Sequence, residues 1–184
     1  MPAPAAEPVP VWDRIVRVLH LVFIVGIAGA WLTRHARGPV HEWIGYAVLA
    51  ALLLRLAWGF AGPPTARFAR FVRAPRITIA YGRGLLAGSA PRHLGHNPLG
   101  GWMIVALLLT MAVASVSGWM FTTDRYWGVA WVMAVHEWSS WAVLALAVLH
   151  VLGVLHASHA HDENLAAAMV HGRKRPPSGT DVPA

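Results

Sequence analysis

Four stretches of the chain stay apolar for close to twenty residues, and the polar residues gather between them. They run at about 15–32, 41–60, 101–121 and 136–156. A bilayer core takes about 20 residues of helix, and in lipid every backbone polar group must be satisfied within the element. Each run therefore predicts a membrane-spanning helix. Arg14 and Arg17 stand at the start of the first span, and Trp31 and Arg34 at its end. The second stops at Gly62-Pro63-Pro64, where two prolines cannot continue a helix. The expectation is an all-α membrane protein, a four-transmembrane-helix bundle.

The polar intervals carry a second, weaker pattern. Residues 63–100 are too many for a plain connector. Phe68, Phe71 and Val72 alternate there with Arg67, Arg70 and Arg73; after Pro75, residues Ile77, Ala80, Tyr81 and Leu85 recur at helical spacing. Both pieces predict short amphipathic helices lying on the cytoplasmic leaflet, and 163–170 fits the same description. Residues 1–11 are rich in Pro and Ala and predict a disordered tail; 173–184 predict a disordered basic tail. One domain, 12–172, lies between. Its first apolar run is read as a span and not as a signal peptide, because no small-residue cleavage site clearly follows it.

Composition agrees with the pattern. The chain is 57% apolar and 12% charged, against about 25% charged in soluble domains. Its net charge of +7 would suggest nucleic acid in a soluble chain, but here it is read as topology. Four spans put both termini on one side. That side collects Arg14, Arg17, Arg67, Arg70, Arg73, Arg76, Arg83, Arg92, Arg173, Lys174 and Arg175. The other has only Arg34, Arg37 and Arg125. The bias predicts a multi-pass membrane protein with both termini cytoplasmic and no nucleic-acid partner. With no cysteine, the chain has no disulfide, thiolate metal site, iron–sulfur cluster or covalently attached haem.

Eleven histidines then supply the chemistry. His136 and His150 are 14 residues apart in the fourth span, roughly 21 Å along a helix and about 40° short of four full turns. Two ligand-type side chains thus share one helix face at two depths. Depth along the other spans matches His41 with His136 at the outer end and His20 with His150 in the inner half. Paired neutral imidazoles hold a six-coordinate haem suited to electron transfer, whereas two imidazoles alone leave a zinc site incomplete. Gly45 and Gly153 share faces with His41 and His150, where a flat macrocycle needs clearance; Gly26, Gly29 and Gly118 are further positions of this kind. Arg17, three residues before His20, and Arg55 inside the second span are placed to meet haem propionates; Arg55 has the alternative of snorkelling to the surface. His96, Asn97 and His161 converge on the inner interface and are candidates for a quinone pocket or proton relay. The plainer reading makes His93, His96, His156, His159 and His161 solvated interfacial residues, with Asn97 capping the third span and Pro98 in its first turn.

Several pieces taken together resemble the bacterial cytochrome b-561 family, in the superfamily that includes the b-type cytochrome subunits of nickel–iron hydrogenases. They are Val11-Trp-Asp-Arg-Ile-Val-Arg-Val-Leu-His20, His41-Glu-Trp-Ile-Gly-Tyr46, Leu94-Gly-His-Asn-Pro-Leu-Gly-Gly101, His136-Glu with His150, and His161-Asp-Glu-Asn-Leu165 followed by Gly172-Arg-Lys-Arg. They cover nearly the whole chain apart from the tails. Leu21 departs from the pattern, where a Trp commonly follows the first ligand. The resemblance implies a four-helix bundle with two b haems on His20, His41, His136 and His150. It also implies electron transfer between the quinone pool and a periplasmic redox partner, a hydrogenase-like subunit or a c-type cytochrome. The expected role is an electron-transfer subunit of an oxidoreductase, in contact with lipid and quinone. The alternatives are a stand-alone quinone oxidoreductase of the b-561 type and, from another class, a histidine-rich metal-binding or transport membrane protein.

Overall fold

The computed structural model describes residues 7–36 and 38–183. Residues 1–6 of the expected N-terminal tail, Arg37 in the first loop and Ala184 lie outside the described residues. Four long helices dominate: α1 (Arg14–Thr33), α2 (Val40–Ala61), α5 (Pro98–Phe121) and α6 (Ala130–Ala160). Each is long and apolar enough to cross a membrane. Between α2 and α5 lie a one-turn α3 (Phe68–Phe71) and an amphipathic α4 (Pro75–Leu86); α7 (Leu165–His171) follows α6. A two-residue β1 (Val9–Pro10) pairs antiparallel with β2 (Arg173–Lys174).

The helix boundaries have local causes. Asp13 Oδ1 accepts the N–H groups of Ile15 and Val16 at 3.0 and 3.1 Å, satisfying orphan donors of the first turn of α1. Asn97 Oδ1 accepts from Gly100 N–H at 2.7 Å, and Pro98 opens α5. The plainer expectation for Asn97 is therefore met. Asn164 caps α7 through Ala167 N–H at 2.8 Å, and Gly172 closes it at φ +83°, a backbone conformation that L side chains rarely adopt.

The fourth span is the main difference in length. It was expected to begin at His136, but α6 starts at Ala130, so His136 lies nearly two turns inside the helix. Residues 130–135 carry Trp131 and Met133 and continue the helix without a stop signal.

Two compact units make up the chain. One comprises residues 18–58 and 104–149. Its core includes Leu19, Phe23, Val48, Leu52, Leu108, Met111, Val132 and Val143. Helix pairs close a circuit within it. Gly26 of α1 faces Val48 of α2, where a Cβ would stand 2.5 Å from Cγ2. Tyr46 of α2 meets Thr122 just beyond α5 through a 3.1 Å hydroxyl hydrogen bond. Trp31 of α1 packs edge-on against Trp141 of α6 at 4.6 Å. Glycine lets two backbones approach, which is how membrane helices pack when lipid is as apolar as their side chains. The outward faces, with Leu21, Ile24, Leu53, Leu109, Val148 and Leu149 exposed, are then the surface lipid covers.

The other unit comprises residues 1–17, 59–103 and 150–184. Here residues 173–183 of the basic tail carry β2 and an isolated bridge. Beyond β2, Val182 bridges to His93, and Leu94 N–H donates to Val182 carbonyl at 3.0 Å. Arg92 explains this. It is 6% exposed and donates to Glu163 at 2.7 Å and to Asp181, while Arg175 N–H donates to Glu163 at 2.9 Å. Lys174, also buried, lies 3.9 Å from Glu163. Composition signals disorder in a Pro-Pro-Ser-Gly tail, but it says nothing of a buried arginine some ninety residues earlier.

Candidate functional site

His41 sits in the first turn of α2 and His136 in the second turn of α6. Their rings stand 6.1 Å apart, centroid to centroid, at 88°. His41 Nδ1 lies 3.0 Å from the carbonyl of Ala30 in α1, and His136 Nδ1 lies 2.8 Å from the carbonyl of Ala114 in α5. A carbonyl only accepts, so in both rings Nδ1 carries the proton and Nε2 keeps its lone pair. This is the second-contact arrangement that fixes the tautomer of metal-bound histidines. All four long helices take part: two supply imidazoles and two supply the carbonyls that orient them.

The separation suits one iron between the rings. With a metal–nitrogen bond of about 2.0 Å and about 1.1 Å from nitrogen to ring centre, two imidazoles on opposite faces of one metal have centroids roughly 6 Å apart. Gly118 makes the geometry possible on the α5 side. A Cβ there would stand 2.9 Å from Cε1 and 3.0 Å from Nδ1 of His136. Ala114 and Gly118, four residues apart on one helix face, form the shallow groove in which the imidazole lies. On the α2 side, a Cβ at Gly45 would meet no atom within 4 Å, so clearance exists one turn from His41. The residues present fit a b-type haem at this level.

His20 of α1 and His150 of α6 are half-buried, and Arg55 of α2 is 5% exposed. At Gly153, one turn from His150, a Cβ would likewise meet nothing within 4 Å. Arg17 is engaged elsewhere than expected: its guanidinium donates to the carbonyls of Met169, at 3.1 Å, and of Val170. A cation at the C-terminus of α7 satisfies orphan carbonyls and complements the helix dipole.

The candidate quinone and proton residues fall into different settings. His96 is held between Trp12 and Phe71, with centroids 4.5 Å from each. Asn97 is committed to the α5 cap. His161 follows α6 beside the Arg92 cluster; burial and then the nearby Arg92 charge lower its pKa from the ordinary imidazole value. Burial also lowers that of His93, against an opposing hydrogen bond to Pro91 carbonyl. Among the described residues, no three His, Cys, Asp or Glu side chains converge as a metal-binding group.

Sequence reasoning missed the carbonyls of Ala30 and Ala114, because backbone acceptors have no residue signature. It took Gly118 as clearance for a macrocycle, whereas Gly118 clears the ligand ring itself. The four-residue spacing of Ala114 and Gly118 was the available signal.

Comparison with curated proteins and with solved structures returns no match. The family model described as prokaryotic cytochrome b561 matches residues 11–172, almost the whole chain, and this protein therefore belongs to that family of membrane b-type cytochromes, proteins of electron transfer.

Proposed function

We propose that the protein is a di-haem b cytochrome of the bacterial inner membrane that transfers electrons between the quinone pool and a periplasmic redox partner. The observation that carries the reading is the His41–His136 pair, with both Nδ1 protons committed to backbone carbonyls and the rings one iron's width apart. His20 and His150 would hold the second haem, supported by their matched depth in the first and fourth apolar runs of the sequence. Held by His41 and His136, a haem would supply single-electron exchange. The chain's own part is to fix the imidazole tautomers, exclude water from the ligand rings and present cationic side chains. Arg55 remains the candidate for a propionate partner, while Arg17 ties α1 to α7.

His96 is the proposed proton-exchanging contact of the quinone, since it lies among aromatic rings that would also take an apolar head group. Asn97, as a helix cap, and His161, among buried charges, are less available to a quinone. A His96→Ala protein should keep its haem spectrum but be reduced slowly by quinol.

The test of the central reading is optical. The purified protein should show reduced b-type bands and about two haems per chain. His41→Ala and His136→Ala should each remove one haem and the same one; His20→Ala and His150→Ala should remove the other. Loss of a single common haem in all four variants would overturn the two-level assignment. A protein with no haem bands would sink the function itself.

A further inference from the structure

The segment from Gly62 to Asn97 contains six arginines and no acidic residue. Arg92 is consumed by Glu163 and Asp181. Arg67 donates to Gly62 carbonyl at 2.7 Å. The other four, Arg70, Arg73, Arg76 and Arg83, are exposed, and no carboxylate among the described residues pairs with them.

Their placement is ordered. Arg76 and Arg83 are seven residues apart on α4, which puts them about 20° apart on one face. Ile79 and Leu86 lie beside them, 57% and 92% exposed, while Tyr81 on the opposite side is buried. A second feature adjoins α3. Arg70 and Arg73 line a small notch with Thr65 and His93, and Phe71 and His96 form part of its wall. Guanidinium forks and a hydroxyl are the donors that recognise phosphate oxygens. Exposed isoleucine and leucine next to them suit acyl chains and not water. Because the segment joins two consecutive spans, it leaves and re-enters the membrane at the same face.

From these features we infer that residues 65–86 form a binding surface for anionic phospholipid headgroups. Arg70 and Arg73 grip the phosphate at the notch, and Arg76 and Arg83 line an amphipathic helix that rests among neighbouring lipids. The partner is the bilayer's own anionic lipid, selected over zwitterionic lipid by charge complementarity without any competing carboxylate. This goes beyond electron transfer and does not depend on how many haems the protein holds.

The full-length protein in detergent would be titrated with a short-chain phosphatidylglycerol, a short-chain phosphatidylcholine and inorganic phosphate, with bound lipid counted by native mass spectrometry. Phosphatidylglycerol should bind in preference to phosphatidylcholine. Arg70→Gln with Arg73→Gln should weaken it by roughly thirtyfold, at about a factor of five per surface cation. Arg76→Gln with Arg83→Gln should weaken it similarly, and all variants should keep the wild-type haem spectrum. Equal retention of the two lipids, or unchanged binding in both paired variants, would overturn the inference. So would displacement of the lipid by phosphate at equal concentration, which would mark a free-anion site.

Discussion

At the scale of single residues, the decisive choices are small ones. His41 and His136 are ligand-type residues in any sequence, but the backbone carbonyls of Ala30 and Ala114 make each a defined tautomer. Gly118 matters because a methyl group would occupy the space of the imidazole edge. Gly118→Ala should therefore push His136 off Ala114 and weaken haem retention at that level by roughly tenfold, the effect expected when a ligand's orienting partner is disturbed. Haem content after dilution against apomyoglobin measures it. The haem proposed for His20 and His150 draws neither ligand from α5, the helix of Gly118, and should stay. Retention identical to wild type would mean that the glycine serves packing alone.

At the scale of elements, the end segments are bound together by charge as much as by apolar contact. Arg92, Glu163 and Asp181 have side chains only 3–6% exposed. Removing one partner leaves a buried charge uncompensated, so Glu163→Gln should cost roughly 3 kcal/mol at neutral pH. Burial raises the Glu163 pKa, but the Arg92 hydrogen bond, the Arg175 N–H and Lys174 outweigh it and hold the carboxyl below its ordinary value. A depressed folded value means stability that is present above about pH 4.3 and lost as pH falls through the folded value. His161 and His93 are also depressed, by burial first. They contribute stability that is full above about pH 6.5 and declines below it as the unfolded chain takes up protons first. Thermal unfolding followed by circular dichroism should thus weaken in two steps on acidification. His161→Gln should shrink the upper step and Glu163→Gln the lower one. The sequence made the four spans legible because apolar length alone decides them, and the closeness of His41 and His136 because depth along a helix is countable. It did not reveal the Arg92 cluster or β1–β2, since pairings across 71 to 165 residues leave no local period. Nor did it show that Arg17 serves α7, because three-residue spacing from His20 tells which face a side chain shares and not what it meets.

At the scale of the whole molecule, orientation is the property that the charges should decide. The loop between α2 and α5 and the two termini hold eleven of the fifteen cations, while the two opposite loops hold three. Translocating a lysine- or arginine-rich loop is disfavoured, whereas Asp and Glu count for little. The proposed orientation is therefore cytoplasmic for both termini and for α3, α4 and α7, which puts the His41–His136 level toward the periplasm. The bias does not rest on any one residue: with Arg70 and Arg73 removed, nine cations still face three. Orientation should accordingly survive the lipid-binding substitutions, which separates the two roles of the same arginines. Reporter fusions measure it. An alkaline phosphatase joined after Ala184 should be inactive and one inserted near Thr123 active, in the wild type and in Arg70→Gln with Arg73→Gln alike. An active phosphatase at Ala184 would invert the molecule and turn the His41–His136 level toward the cytoplasm.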